Sequence, residues 1–193
     1  MKICVYGAAS NLIDELYIKE VEKLGACLVR RGHELVFGAG AHGLMGAAVR
    51  GVMAAGGKSY GVIPRFFLEE RIEEVYQDCT ELFVTDSMAS RKSKMEDLAD
   101  AFLIVPGGIG TFEEFFQVLT LKQLGRHTKP IAVYNINGYY TEMMAMMENA
   151  MEEKFLQEEC RKLYAYASDP DDLLAYLEND LQLQRDVHEL KKG

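Results

Sequence analysis

The chain has 193 residues, 49% hydrophobic and 26% charged, with a net charge of -9. That composition fits one folded domain, 1–193, with a core large enough to stand without disulfides or a structural metal. The acidic balance argues against a nucleic-acid polymer as the main partner, yet leaves room for one small phosphorylated ligand in a local basic pocket.

No apolar run approaches the roughly 18 residues of a membrane helix, and the sequence enters a strand pattern at Lys2 with no signal-peptide pattern before it. The four cysteines, Cys4, Cys27, Cys79 and Cys160, are scattered and form no CxxC pair, and the four histidines show no ligand spacing. Reduced thiols, no metal site and a cytoplasmic location are expected.

Short β-rich runs alternate with helical patterns along the chain. KICVYG predicts a strand. Ile13, Leu16, Tyr17, Val21, Leu24 and Leu28 then recur at helical spacing up to Arg31-Gly32. ELVFGAG reads as strand and turn, GLMGAAVRGVMAAGG as a small-residue helix, and KSYGVIP as a third strand. ELFVTD is a fourth, followed by a helix over about 87–99. AFLIVPGG is a fifth, followed by a helix over about 111–124. KPIAVYN is a sixth, followed by a helix over about 139–155. LYAYAS, a helix from about Asp169 and a fraying helical end, RDVHELKKG, complete the chain.

AFLIV and PIAVY show little alternation, as strands covered on both faces should. Repeated βα units with short connections predict a Rossmann-like α/β fold, an open parallel sheet between two layers of helices. Ligands of such sheets bind beyond the carboxyl ends of the strands. GAASN, GAGAHG, TDSMASRK and PGGIGT would share that rim.

GAGAHG matches GxGxxG at Gly38, Gly40 and Gly43. A dinucleotide site, a plain tight turn and a phosphate- or sugar-lining loop are the readings open to it. The first is weakened because the motif follows the second strand pattern and no ribose-binding acid follows the third. PGGIGT is the stronger signal, since glycines before a helix expose backbone N–H groups at its positive end, a natural seat for phosphate. Thr111 and Glu114 also fit a capping box, though a cap leaves Gly107, Gly108 and Gly110 unexplained. Arg91, Lys92 and Lys94 sit near a helix start, where cations oppose the dipole. They read either as a solvated face or as anion contacts. The stripe Met143, Met147 and Met151 reads as core or subunit interface.

MASRKSKM together with PGGIGTFEE resembles the paired signature of the Lonely Guy (LOG) family, cytokinin riboside 5'-monophosphate phosphoribohydrolases often mislabelled lysine decarboxylases. PGGxGTxxE is matched at every fixed position, and VYGAAS and GLMG, Gly43 to Gly46, fit as well. The resemblance implies a catalytic pair, Arg91 and Glu114. It implies a phosphate loop over Gly107, Gly108, Ile109, Gly110 and Thr111, with Lys92 and Thr120 as further ligand contacts. An acidic substrate contact falls near Glu73, with Glu70 the alternative. Two departures stand out: Ala89 replaces the family's histidine, and Gly38-Ala39-Gly40 replaces its triple glycine.

The reaction implied is hydrolysis of the N-glycosidic bond of AMP, or of an N6-modified AMP, to free base and ribose 5-phosphate. It is a step of cytokinin biosynthesis in that family and calls for neither metal nor cofactor. The carboxylate of Glu114 would stabilise the oxocarbenium-like carbon and orient water, while Arg91 positions the sugar. A homodimer is implied too. The competing readings are a nucleotide sensor or carrier of the same fold, an NAD oxidoreductase, and a decarboxylase that would need pyridoxal phosphate.

Overall fold

The computed structural model describes residues 1–180 and 187–190. Seven strands form one parallel sheet: β1 (Lys2–Tyr6), β2 (Glu34–Phe37), β3 (Ser59–Pro64), β4 (Glu81–Thr85), β5 (Ala101–Ile104), β6 (Ile131–Tyr134) and β7 (Ala165–Ala167). Their order is β4-β3-β2-β1-β5-β6-β7. The chain winds outward from β1 to one edge, returns to β5 beside β1, and then winds to the other edge. The loops after β1 and β5 therefore part in opposite directions, which opens a crevice at their carboxyl ends.

The helices are α1 (Glu15–Arg30), α2 (Gly43–Ala54), α3 (Arg65–Glu69), α4 (Met88–Leu98), α5 (Ile109–Gln123), α6 (Thr141–Glu152), α7 (Pro170–Asn179) and α8 (Val187–Leu190). Val21, Leu24 and Leu28 of α1, Val49 and Val52 of α2, and Leu173, Leu174 and Leu177 of α7 cover one face of the sheet. Met95 of α4, Phe115 and Val118 of α5, and Met147 of α6 cover the other. Every residue of β5 and β6 is buried, which is why neither strand alternates. Fully burying each such Val, Leu, Ile or Phe contributes about 1.5–3 kcal/mol.

Met147 and Met151 are buried and Met143 packs against the same cluster, so the methionine stripe is core. All four cysteines are free thiols. No described helix is long and apolar enough to cross a membrane. Of the charged end, only Val187–Leu190 lies among the described residues, and it is helical.

Candidate functional site

The rim is organised by two helix starts on one face of the sheet. α4 begins with a reciprocal cap: the Ser90 N–H donates to Ser87 Oγ at 3.1 Å and the Ser87 N–H to Ser90 Oγ at 3.0 Å. That cap fixes the first turn, so Arg91, just beyond it, enters the sheet rim at a set angle. Arg91 is only 5% exposed. Its Nε donates to Val62 O and its Nη2 to Gly38 O, both at 3.1 Å. Its guanidinium carbon lies 5.7 Å from the centre of the Phe67 ring.

The GAGAHG glycines find their reason here. A Cβ on Gly38 would stand 2.0 Å from Arg91 Nη2, and one on Gly40 would stand 2.9 Å from Met45 Cε and 3.3 Å from Glu73 Oε2. The turn is therefore shaped around protein side chains, an arginine and a carboxyl, rather than around a pyrophosphate. Residues 73–76 lie back over it. Gly40 bridges Val75 in antiparallel fashion, Ala41 N–H donates to Glu74 O at 2.8 Å, and Tyr76 N–H to Ala39 O at 2.9 Å. This sets Glu73, and not the exposed Glu70 at the end of α3, within electrostatic reach of Arg91. Burial pushes the Glu73 carboxyl above the usual range, opposed by Arg91 and His42.

The second helix start is α5, and it differs from the expected one. The helix opens at Ile109 behind Gly108, two residues before Thr111, so the Thr111–Glu114 capping box does not form. Phe112 N–H makes the first bond of that turn, to Gly108 O at 3.0 Å. The amides of Ile109, Gly110 and Thr111 are left without an intrahelical acceptor. A Cβ on Gly108 or on Gly110 would meet nothing within 4 Å, so internal packing explains neither glycine. Gly107 is another matter: a Cβ there would lie 2.1 Å from Thr111 Oγ1, which is buried beneath the loop. Ile109 offers only its backbone, its side chain being 87% exposed.

Glu114 follows on the sheet side of α5. Burial pushes its carboxyl up to about 7, against the pull of Arg91 and Lys92 and with Glu113 and Glu73 adding to the rise. Glu113 points outward, as adjacency on a helix requires, and accepts from Lys92 Nζ at 2.5 Å, tying α4 to α5. Lys92 thus meets a carboxylate as well as the rim. Thr120, also on α5, is exposed and leaves the helix about 120° away from Glu114. Ala89 is exposed in the first turn of α4. Arg91, Glu114 and Glu73 lie within electrostatic reach of one another, and the amides of 109–111 open the helix that carries Glu114; Thr120 leaves that helix on another side.

Some supports were not picked out in the sequence. Tyr139 Oη donates to Gly107 O at 2.6 Å and Tyr140 Oη to Val105 O at 2.8 Å, holding the loop from the turn before α6. Asn11 Oδ1 accepts from Gly43 N–H at 3.2 Å, where Gly43 adopts φ +57° against Ala8 O. A cavity of about 190 Å³ beside Gly107 and Gly108 is lined chiefly by apolar atoms, including those of Ile13, Tyr17 and Tyr139. The asparagine lies in GAASN, on the expected rim, and the tyrosines open the helix expected over about 139–155, but their partners lie far away in sequence. Among the described residues no cluster of His, Cys, Asp or Glu could hold a metal.

Several comparisons bear on this arrangement. The fold matches the molybdenum cofactor carrier protein of Chlamydomonas reinhardtii with a TM-score of 0.69, over 94% of this chain and 98% of that one, at 20% identity. A molybdenum cofactor binding protein from Rippkaea orientalis matches with a TM-score of 0.63 over 92% and 93%, at 19% identity. A family model described as "Possible lysine decarboxylase" matches residues 45–177. A protein of Oryza sativa subsp. japonica named "Probable cytokinin riboside 5'-monophosphate phosphoribohydrolase" is 35% identical over 190 residues, 98% of this chain and 76% of its own length. One of Arabidopsis thaliana named "Cytokinin riboside 5'-monophosphate phosphoribohydrolase" is 34% identical over 177 residues, 92% and 82%. At that identity and coverage, and with the signature residues gathered at one rim, this chain belongs to the LOG family of cytokinin riboside 5'-monophosphate phosphoribohydrolases.

Proposed function

We propose that the protein hydrolyses the N-glycosidic bond of a purine nucleoside 5'-monophosphate, AMP or an N6-modified AMP, releasing the base and ribose 5-phosphate. The observation that carries this is the meeting of an anion seat and a carboxyl of raised pKa on one helix. The free amides of Ile109, Gly110 and Thr111 suit a 5'-phosphate. Glu114 lies about one turn beyond them, at the reach of the sugar. The opposite requirements of phosphate and carboxylate are met by distance along one helix.

Leaving of the base builds positive charge at C1'. An ionised Glu114 stabilises that charge and takes a proton from the attacking water. Arg91 is already clamped by two backbone carbonyls, so its remaining N–H groups hold ligand and carboxyls without reorganisation. Lys92 adds positive charge beside the phosphate, and Thr120 contacts ligand only if a partner subunit or a long substituent reaches it. We further propose a cytoplasmic homodimer, with the exposed Met88 and Ile109 at the two helix starts in its interface.

Incubation with AMP and with N6-isopentenyl-AMP, followed by chromatography for free base and ribose 5-phosphate, tests the reading. Release by the wild type and a loss of about 10³-fold or more in Glu114→Gln is expected. Thermal stabilisation by both nucleotides with no base released would instead favour a nucleotide carrier.

A further inference from the structure

Hydrolysis leaves one proton transfer unassigned. The purine must be protonated as it departs, and Glu114 cannot donate while it accepts from water. A second carboxyl is built into the same rim. Residues 73–76 pair back on 39–41, and this pairing sets Glu73 over Gly40, whose missing side chain makes the space. Glu73 Oε2 is buried and has no hydrogen-bond partner among the described residues. A buried carboxyl oxygen with no partner is costly unless a ligand completes it.

The position suits the base. The anion seat follows β5, and Gly40 follows β2, with β1 between them. Two strand spacings are about 10 Å, a span that a nucleoside monophosphate bridges from phosphate to purine. A phosphate on 109–111 with its sugar at Glu114 directs the purine over Arg91 toward Glu73.

We propose that Glu73 is the general acid of this reaction, donating its proton to the purine as the bond to C1' breaks. The proposal rests on the phosphoribohydrolase reading. The C1'–N9 bond breaks and its electron pair goes to the purine. The Glu73 O–H bond breaks and its proton joins the purine. Water forms the new C1'–O bond and gives its proton to Glu114. Exchange with solvent then returns the pair to its starting state. The groups facing Glu73 are Arg91 from α4, Glu114 from α5 and His42 from the turn after β2, and Arg71 and Glu74 share the groove beside it. Arg91 serves both carboxyls, so one proton held between them is the reactive state.

The test compares AMP with 4-nitrophenyl ribofuranoside 5-phosphate, whose nitrophenolate departs without a proton. Glu73→Gln is expected to lower kcat on AMP about 10²- to 10³-fold with KM within about threefold, and to lose less than about tenfold on the nitrophenyl substrate. The alkaline limb of wild-type kcat/KM on AMP should be absent with the nitrophenyl substrate. Retained turnover of the latter also shows that the variant folds. Equal losses on both substrates, or a loss confined to KM on AMP, would overturn the role of Glu73. A wild type inactive on both would overturn the phosphoribohydrolase reading as well.

Discussion

Near neutral pH the Glu114 carboxyl is about half ionised, because burial favours its neutral form more strongly than Arg91 favours the charged one. Its folded pKa therefore exceeds the unfolded one. The native state binds the extra proton between the two values, and stability falls as pH rises through that window, from about 4.5 to about 7. Glu114→Gln removes the penalty. The ligand-free variant should melt above the wild type at about pH 8, with the gap closing by about pH 5, as differential scanning fluorimetry across pH would show. Activity depends on the same proton: wild-type kcat/KM on AMP should fall as pH rises past about 7, where the Glu73–Glu114 pair loses the one proton it holds. Arg91 is the counterpart: Arg91→Lys keeps the charge but cannot reproduce both the Nε bond to Val62 O and the Nη2 bond to Gly38 O. The lost bonds lower stability by about 1–3 kcal/mol, measurable by urea unfolding, besides disorienting the site.

The α5 start separates what the helix needs from what a ligand needs. Glycine disfavours helices, and Gly110 sits in the first turn with open space where a Cβ would go. Gly110→Ala should therefore leave the fold as stable or raise it by up to about 1 kcal/mol, while raising KM for AMP about tenfold or more. A thermal melt alongside initial-rate kinetics checks both halves, and a fall in stability would show that Gly110 is there for packing. Gly107→Ala is expected to destabilise, since its Cβ would strike Thr111. Propensity alone could not place this helix start. Thr-x-x-Glu offers a cap at Thr111, but the turn closes two residues earlier because Gly108 accepts the Phe112 bond and leaves room above it. The capping box that does form, Ser87 with Ser90, fixes α4 instead.

At the scale of the molecule, the parallel order with β1 and β5 side by side puts four loops on one rim. If copies of the chain associate through the helix starts beside that rim, the species in dilute buffer has twice the chain mass of 21.7 kDa. Sedimentation equilibrium would show it, and Ile109→Asp, which places a charge on an 87% exposed apolar side chain, should shift it toward the monomer. The sequence by itself determined the sheet, because two-sided burial erases alternation in AFLIV and PIAVY and Gly-rich turns mark the strand ends. It also marked the proposed anion seat, whose glycines, helix and carboxylate are contiguous. It singled out Arg91 and Glu114 through short motifs. Only the tertiary structure decided that GAGAHG encloses Arg91 and Glu73, that 73–76 folds back on 39–41, and that Tyr139 holds Gly107 from the turn before α6. Those contacts join residues tens of positions apart, and local periodicity carries no record of which distant side chain a small residue makes room for.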